Sequence, residues 1–162
     1  MSVSLLIQKI IENFQAQEQI YHTIADLAAR QVDLLAGEDW INKPEHLNDL
    51  LKKRQQMAWV IDRLNNDNQL IQAEVKQLLG IDDFVLSRLK SRLNEEDYKS
   101  LQHTLARLGD LLGDINKMDE QSHSLLKDKA AINRSLHSPD SKKVQNAYQE
   151  AMRQGHSSPR RN

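Results

Sequence analysis

Apolar residues recur along most of this chain at alternating steps of four and three, the spacing that keeps side chains on one face of a helix. The longest such stretch runs from Asn94 to about Leu136, where Leu101, Leu105, Leu108, Leu112 and Ile115 make a seam. Asn94 is placed to cap it, because its side-chain oxygen can accept from a free N–H in the first turn. Glu95, Glu96 and Asp97 then put negative charge at the positive end of the helix dipole. At ~1.5 Å per residue this helix is expected to be about 60 Å long, so it needs equally long partners.

Two are present upstream. From about Ser4 to Leu35 a broad face runs through Val3, Ile7, Ile10, Phe14, Tyr21, Ile24, Ala28 and Leu35, widened by Leu6, Ile20, Leu27 and Leu34. From Pro44 to Leu79 the seam Leu50, Met57, Ile61, Leu64, Ile71, Val75, Leu78 keeps the same alternation, broken by Arg54 and Asn68. Gly37 is expected to close the first helix in the left-handed conformation, and Pro44 suits the start of the second. The short connector between them implies an antiparallel hairpin, with Trp40 and Ile41 folded back as an apolar plug. After Gly80, Ile81–Leu89 reads as a short helix capped by Asp82. Gly109 and Gly113 weaken the long helix and suggest close packing or a bend. From Lys117 to His137, Asp119, Ser122, Lys129 and Asn133 interrupt a narrow face of Met118, Leu125, Ile132 and Leu136. The expectation is an all-α, elongated antiparallel bundle of three long helices plus short helices, occupying residues 1–137.

Residues 138–162 are a different kind of segment. Ser138-Pro139-Asp140 breaks the helix, since proline lacks a donor and clashes with the preceding turn. Beyond it, Ser141 to Gln154 reads as a mobile amphipathic C-terminal helix with Val144, Ala147, Tyr148, Ala151 and Met152 on one side; the run from Gly155 to Asn162 reads as disordered. About four turns are marginal in isolation, so this stripe is expected either to bind a partner or to dock on its own bundle. Charge divides the chain at the same place. Residues 1–137 hold 17 Lys+Arg against 21 Asp+Glu, whereas 138–162 hold five against two, so the bulk is −4 and the tail +3.

Composition narrows the classes. A length of 162 residues suits one domain, and five Gly and three Pro are too few for an all-β chain. No cysteine excludes disulfides and thiol chemistry. No apolar run approaches the ~20 residues of a membrane span, and no secretory apolar region opens the chain, so a cytoplasmic location is expected. A net charge of −1 gives no overall reason to expect nucleic acid, and the Lys52-Lys53-Arg54 cluster is flanked by Glu45 and Asp49.

The chemistry-bearing residues do not assemble into a catalytic set. Glu120 and His123 share a helix face and make half of a carboxylate-bridged di-metal site, but the first two helices offer no second Glu-x-x-His. Glu18 and His22, one turn apart, read as a surface pair. His103, in Gln102-His103-Thr104-Leu105-Ala106-Arg107-Leu108-Gly109, begins like a histidine phosphotransfer motif, yet Ala106 stands at the lysine position and Arg107 at the small one. No Gly-rich loop offers a nucleotide site. The residues point to a non-enzymatic interaction module without metal or cofactor.

Three stretches carry a family resemblance. Leu34-Leu35-Ala36-Gly37-Glu38-Asp39 leads into Leu50-Leu51-Lys52-Lys53-Arg54-Gln55-Gln56, and the last long helix holds Ile115-Asn116-Lys117-Met118-Asp119-Glu120-Gln121-Ser122-His123-Ser124-Leu125-Leu126. Together they resemble the flagellar type III export chaperones of the FlgN family over roughly residues 5–150, with Asp119 and His123 at or near positions where that family often has asparagine. The resemblance implies a cytoplasmic chaperone that binds the C-terminal helical segments of hook–filament junction proteins, prevents premature assembly and delivers them to the export gate. It also implies substrate binding through Ser141–Gln154 and a gate contact through Tyr148. Two other readings use the same residues: a coiled-coil adaptor or self-associating bundle, and a histidine phosphotransfer domain using His103.

Overall fold

The computed structural model describes residues 2–134, and the described chain is all-α. Its long helices are α1 (Val3–Ala36), α2 (Glu45–Leu79) and α4 (Glu95–Arg134); α3 (Leu86–Leu89) is a single turn, and a 3-10 turn, Asp39–Ile41, joins α1 to α2. Each end has a local cause. The Ser2 hydroxyl accepts from the Leu5 N–H at 3.2 Å, capping α1. Asn94 caps α4 as its sequence position implies: Asn94 Oδ1 accepts from the Asp97 N–H at 2.7 Å, and Asn94 Nδ2 donates back to the Asp97 carboxylate at 3.0 Å.

Two ends depart from the expectation. Left-handed closure occurs at Gly80, with φ +67°, where the Ile81 N–H reaches back to the Lys76 carbonyl. Gly37 instead closes α1 with a shorter loop, its N–H donating to the Leu34 carbonyl at 3.3 Å. The segment after Gly80 does not start a helix at Asp82. Helical turns begin at Leu86, behind Val85 in extended conformation and without a side-chain cap. Burial decides this: Leu89 is fully enclosed, and Ile81, Phe84 and Leu86 lean on the same core, which a helix started at Asp82 would have turned differently.

The described chain divides into two compact units, each drawing on all three long helices: the residues up to Tyr21 with Val60–Leu112, and His22–Trp59 with the described residues from Gly113 onward. The first is centred on Leu6, Ile7, Ile10, Ile11, Val75, Leu89 and Leu101. Within it α2 runs antiparallel to α1, since Asn68 lies beside Ile10 and Leu64 beside Asn13; α4 runs parallel to α1, since Asp97 meets Ser4 and Gln8 while Arg107 meets Glu18. The second unit is centred on Leu35, Trp40, Leu47, Leu51 and Leu126. Trp40 is enclosed there and Ile41 packs against the same cluster, so the connector is the plug that its apolar residues suggested.

The seams lie slightly round from where the apolar pattern puts them. On α2 the enclosed residues are Leu47, Leu51, Ile61, Asn68 and Val75, whereas Leu78 faces solvent. On α4 they are Asp97, Leu101, Thr104, Leu108, Ile115, Asp119, Ser122, Leu126 and Ala130, while Leu112 is 38% exposed. The steps of seven through Leu47, Arg54, Ile61, Asn68 and Val75 show why: the polar residues that interrupt the apolar count are themselves seam positions of a heptad. Neither Gly109 nor Gly113 is a close-packing device, since a Cβ on either would meet nothing within 4 Å.

Candidate functional site

The chemistry of the described bundle sits in two buried polar layers, one in each unit. In the first unit, Gln72 Nε2 donates to Asn68 Oδ1 at 2.9 Å, Asn68 Nδ2 to Asn13 Oδ1 at 2.9 Å, and Gln17 Nε2 to the same oxygen at 2.8 Å; Asn13 Nδ2 closes the network on the Leu64 carbonyl at 2.9 Å. Four amides thus satisfy one another between α1 and α2, the condition under which burying them is tolerable. At the end of this unit the enclosed Asp97 carboxylate accepts from Ser4 Oγ and Gln8 Nε2, both at 2.8 Å, as well as from Asn94. Neutral donors surround that charge and tie the start of α1 to the start of α4.

The second unit carries an ionic layer. Arg54 NH1 donates to Asp119 Oδ1 at 2.6 Å and NH2 to Oδ2 at 2.9 Å, a bidentate fork, while NH1 also reaches Gln31 Oε1 at 2.7 Å. Only 15% of the Arg54 side chain and 6% of that of Asp119 are exposed, so the pair is largely out of water. This layer is less complete than the amide one: Gln31 Nε2, Trp40 Nε1 and Ser122 Oγ are buried without a hydrogen-bond partner, and all three lie in the second unit. Reading Arg54 as an interruption missed this layer. Its recoverable signal is the spacing of seven that sets Arg54 in line with Leu47 and Ile61.

The Lys52-Lys53-Arg54 cluster is accordingly not one surface feature, because Lys52 and Lys53 face solvent and Arg54 turns inward. Glu18 does not pair with His22 in the way its spacing suggested; its carboxylate accepts from Arg107 Nε at 3.1 Å. That contact also engages the residue one turn beyond His103, which is itself exposed on α4. Glu120 and His123 are both on the outer face, and among the described residues no three His, Asp or Glu side chains gather as metal ligands would. Tyr21 is held above its ordinary pKa of 10.0, chiefly by burial and secondarily by the nearby negative charge of Asp62.

Two exposed apolar or grooved surfaces stand out among the described residues. Leu70, 74% exposed, and Leu78 stand out from α2 in the first unit. In the second unit an open groove of about 560 Å³ runs beside α1 and α2 over Leu34 and Leu50, rimmed by Arg30, Asp33, His46, Asp49 and Lys53. The residues expected to bind a partner, Val144, Ala147, Tyr148, Ala151 and Met152, lie outside the described residues. Among the described residues no helix is long and apolar enough to cross a membrane. Compared with known proteins, the chain matches no family model, no curated protein and no solved structure.

Proposed function

We propose that this protein is a cytoplasmic export chaperone of the FlgN type, a non-catalytic helical module that binds the C-terminal helical segments of hook–filament junction proteins. It keeps them from assembling early and hands them to the export gate. The observation that carries the reading is that the three stretches resembling that family fall in one compact unit. Leu35, Leu51 and Leu126, one from each stretch, belong to a single core, and Arg54 of the second stretch is forked onto Asp119 of the third. In the proposed mechanism an amphipathic client helix lays its apolar face beside Val144, Tyr148 and Met152 and completes an intermolecular bundle, covering surface that otherwise promotes assembly.

A self-associating adaptor is the second reading, favoured by the exposure of Leu70 and Leu78 on α2. One experiment separates the two: a pulldown from a flagellated host lysate with the full chain and with the chain ending at His137, alongside the mass of each in solution. Junction proteins captured by the full chain alone support the chaperone and the role of Val144–Met152. No flagellar component with either chain, together with a stable oligomer that Leu70→Gln dissolves, replaces the chaperone by the adaptor.

A further inference from the structure

Two polar side-chain ends stand idle on either side of the Arg54 fork. Arg54 NH1 donates to Gln31 Oε1 at 2.7 Å and to Asp119 Oδ1 at 2.6 Å, so α1 and α4 each present an oxygen to one guanidinium nitrogen. A guanidinium only donates, which fixes the oxygen of the Gln31 amide toward Arg54 and leaves the NH2 end, Nε2, buried without a hydrogen-bond partner. Ser122 follows Asp119 by three residues, the spacing of neighbours on a helix surface, and its hydroxyl is buried and unpartnered as well. Thr104, enclosed on the same seam of α4, turns its hydroxyl back to the Ser100 carbonyl at 2.9 Å; Ser122 makes no such bond. Gln31 and Ser122 are both 0% exposed, which closes them to bulk solvent. Trp40, whose Nε1 is the third unpartnered atom, belongs to the leucine cluster and not to this layer.

We propose that the layer is a binding site for one internal water molecule, which accepts from Gln31 Nε2 and donates to Ser122 Oγ. The chemistry of the layer selects that ligand. An amide NH2 needs an acceptor and a hydroxyl takes either role, so a ligand serving both must accept from the first and can donate to the second. Arg54 and Asp119 offset each other in charge, so an ion of either sign would enter an enclosed site uncompensated. A serine also fills less of the layer than Ile115 or Leu126, its enclosed neighbours on α4, so in a close-packed core the space for a water lies beside it. Internal waters serve groups of this kind, buried polar side chains that no protein atom satisfies. The assignment is independent of the export reading, and its test uses no partner.

A crystal structure of the full chain, at a resolution that shows ordered solvent, should hold a water within hydrogen-bond distance of both Gln31 Nε2 and Ser122 Oγ. Absence of that water overturns the proposal, and so does a Ser122 hydroxyl bonded directly to Gln31 or to the backbone of its own helix. A thermodynamic cycle tests the same point in solution, with circular dichroism confirming that each variant is helical. Urea unfolding is measured for the parent chain, Ser122→Ala, Gln31→Met and the two together. If the water joins the two groups, Ser122→Ala should raise the unfolding constant about fivefold in the parent. In the Gln31→Met background, where the amide is already gone, the same change should raise it by under about twofold. An unfolding constant that Ser122→Ala leaves unchanged or lowers is the behaviour of a hydroxyl buried without any partner, and it overturns the proposal. An equal rise in both backgrounds means that the hydroxyl acts without Gln31 and has the same effect.

Discussion

Replacing one member of the Arg54–Asp119 fork should destabilise the second unit far more than replacing both. In Asp119→Leu the guanidinium keeps its contact with Gln31 Oε1 but loses both carboxylate bonds, while remaining in a site where only 15% of its side chain meets water. Stranding a buried charge in this way costs about 3–5 kcal/mol, a large share of the ~5–15 kcal/mol that separates a folded domain from its unfolded chain. Arg54→Met takes the fork away from the Asp119 carboxylate instead and should also destabilise the unit. The double variant Arg54→Met/Asp119→Leu removes both charges and fills the layer with apolar atoms, so most of the loss should return, and a net gain of ~1–4 kcal/mol is within the range for such replacements. Urea unfolding provides the assay, followed by far-ultraviolet circular dichroism for all helices and by tryptophan fluorescence for Trp40 and Trp59, which both belong to the second unit. In the single variants the fluorescence transition should move to lower urea and ahead of the circular dichroism. A single-variant loss under about 1 kcal/mol, or a double variant equal to the sum of the singles, would refute the reasoning, because either result means the pair is solvated and uncoupled.

Other expectations rest on the same packing. Gly109→Ala and Gly113→Ala should each raise stability by ~0.5–1 kcal/mol in thermal melts, since neither introduced methyl meets an atom within 4 Å; a loss would expose a close contact or a backbone conformation alanine cannot take. Leu108→Ala should cost ~2–5 kcal/mol, whereas Leu112→Ala, at a 38% exposed position, should cost under ~1 kcal/mol; equal costs would put the seam of α4 in a different register. Tyr21 should ionise above pH 10.0 in ultraviolet titration, because burial, and then Asp62, disfavour the phenolate. The unfolded chain loses that proton first, so the stabilisation it gives is full below pH 10, falls as pH rises through the folded pKa, and is absent from Tyr21→Phe. A Tyr21 titration at or below the ordinary value would place the ring in water.

How much of this was legible in the sequence depended on whether a residue's role was local. The three long helices, the Asn94 cap and the Trp40 plug can be read from spacing and composition within a few residues, and the structure has them. Which face of α2 and α4 points inward cannot be read from apolar spacing alone. Leu78 and Leu112 continue the four-and-three count but face solvent, while Asn68, Thr104, Asp119 and Ser122 lie inside. Asn68 and Asp119 are each met by a partner from another helix dozens of positions away, Asn13 for Asn68 and Arg54 for Asp119, whereas Thr104 donates to the Ser100 carbonyl of its own helix. The Gly37 and Gly80 ends differ for a related reason. Either glycine can adopt the left-handed conformation, and the packing of the residues just beyond each one, Trp40 after Gly37 and Ile81 after Gly80, decides which does.

The Asp97 knot has a consequence in time. Its donors on α1, Ser4 and Gln8, stand 93 and 89 residues before it in the chain, whereas Gln31 and Arg54 are separated by only 23. At a ribosomal pace of ~5–20 residues per second, the opening turn of this protein waits about 5–20 s for the residue that anchors it. Gln31 and Arg54 of the α1–α2 hairpin come within reach of each other long before then, and closing a short loop costs less entropy than closing a long one. The start of α1 is therefore fastened late, and during that interval Leu6, Ile7, Ile10 and Ile11 have α2 but no α4 to pack against.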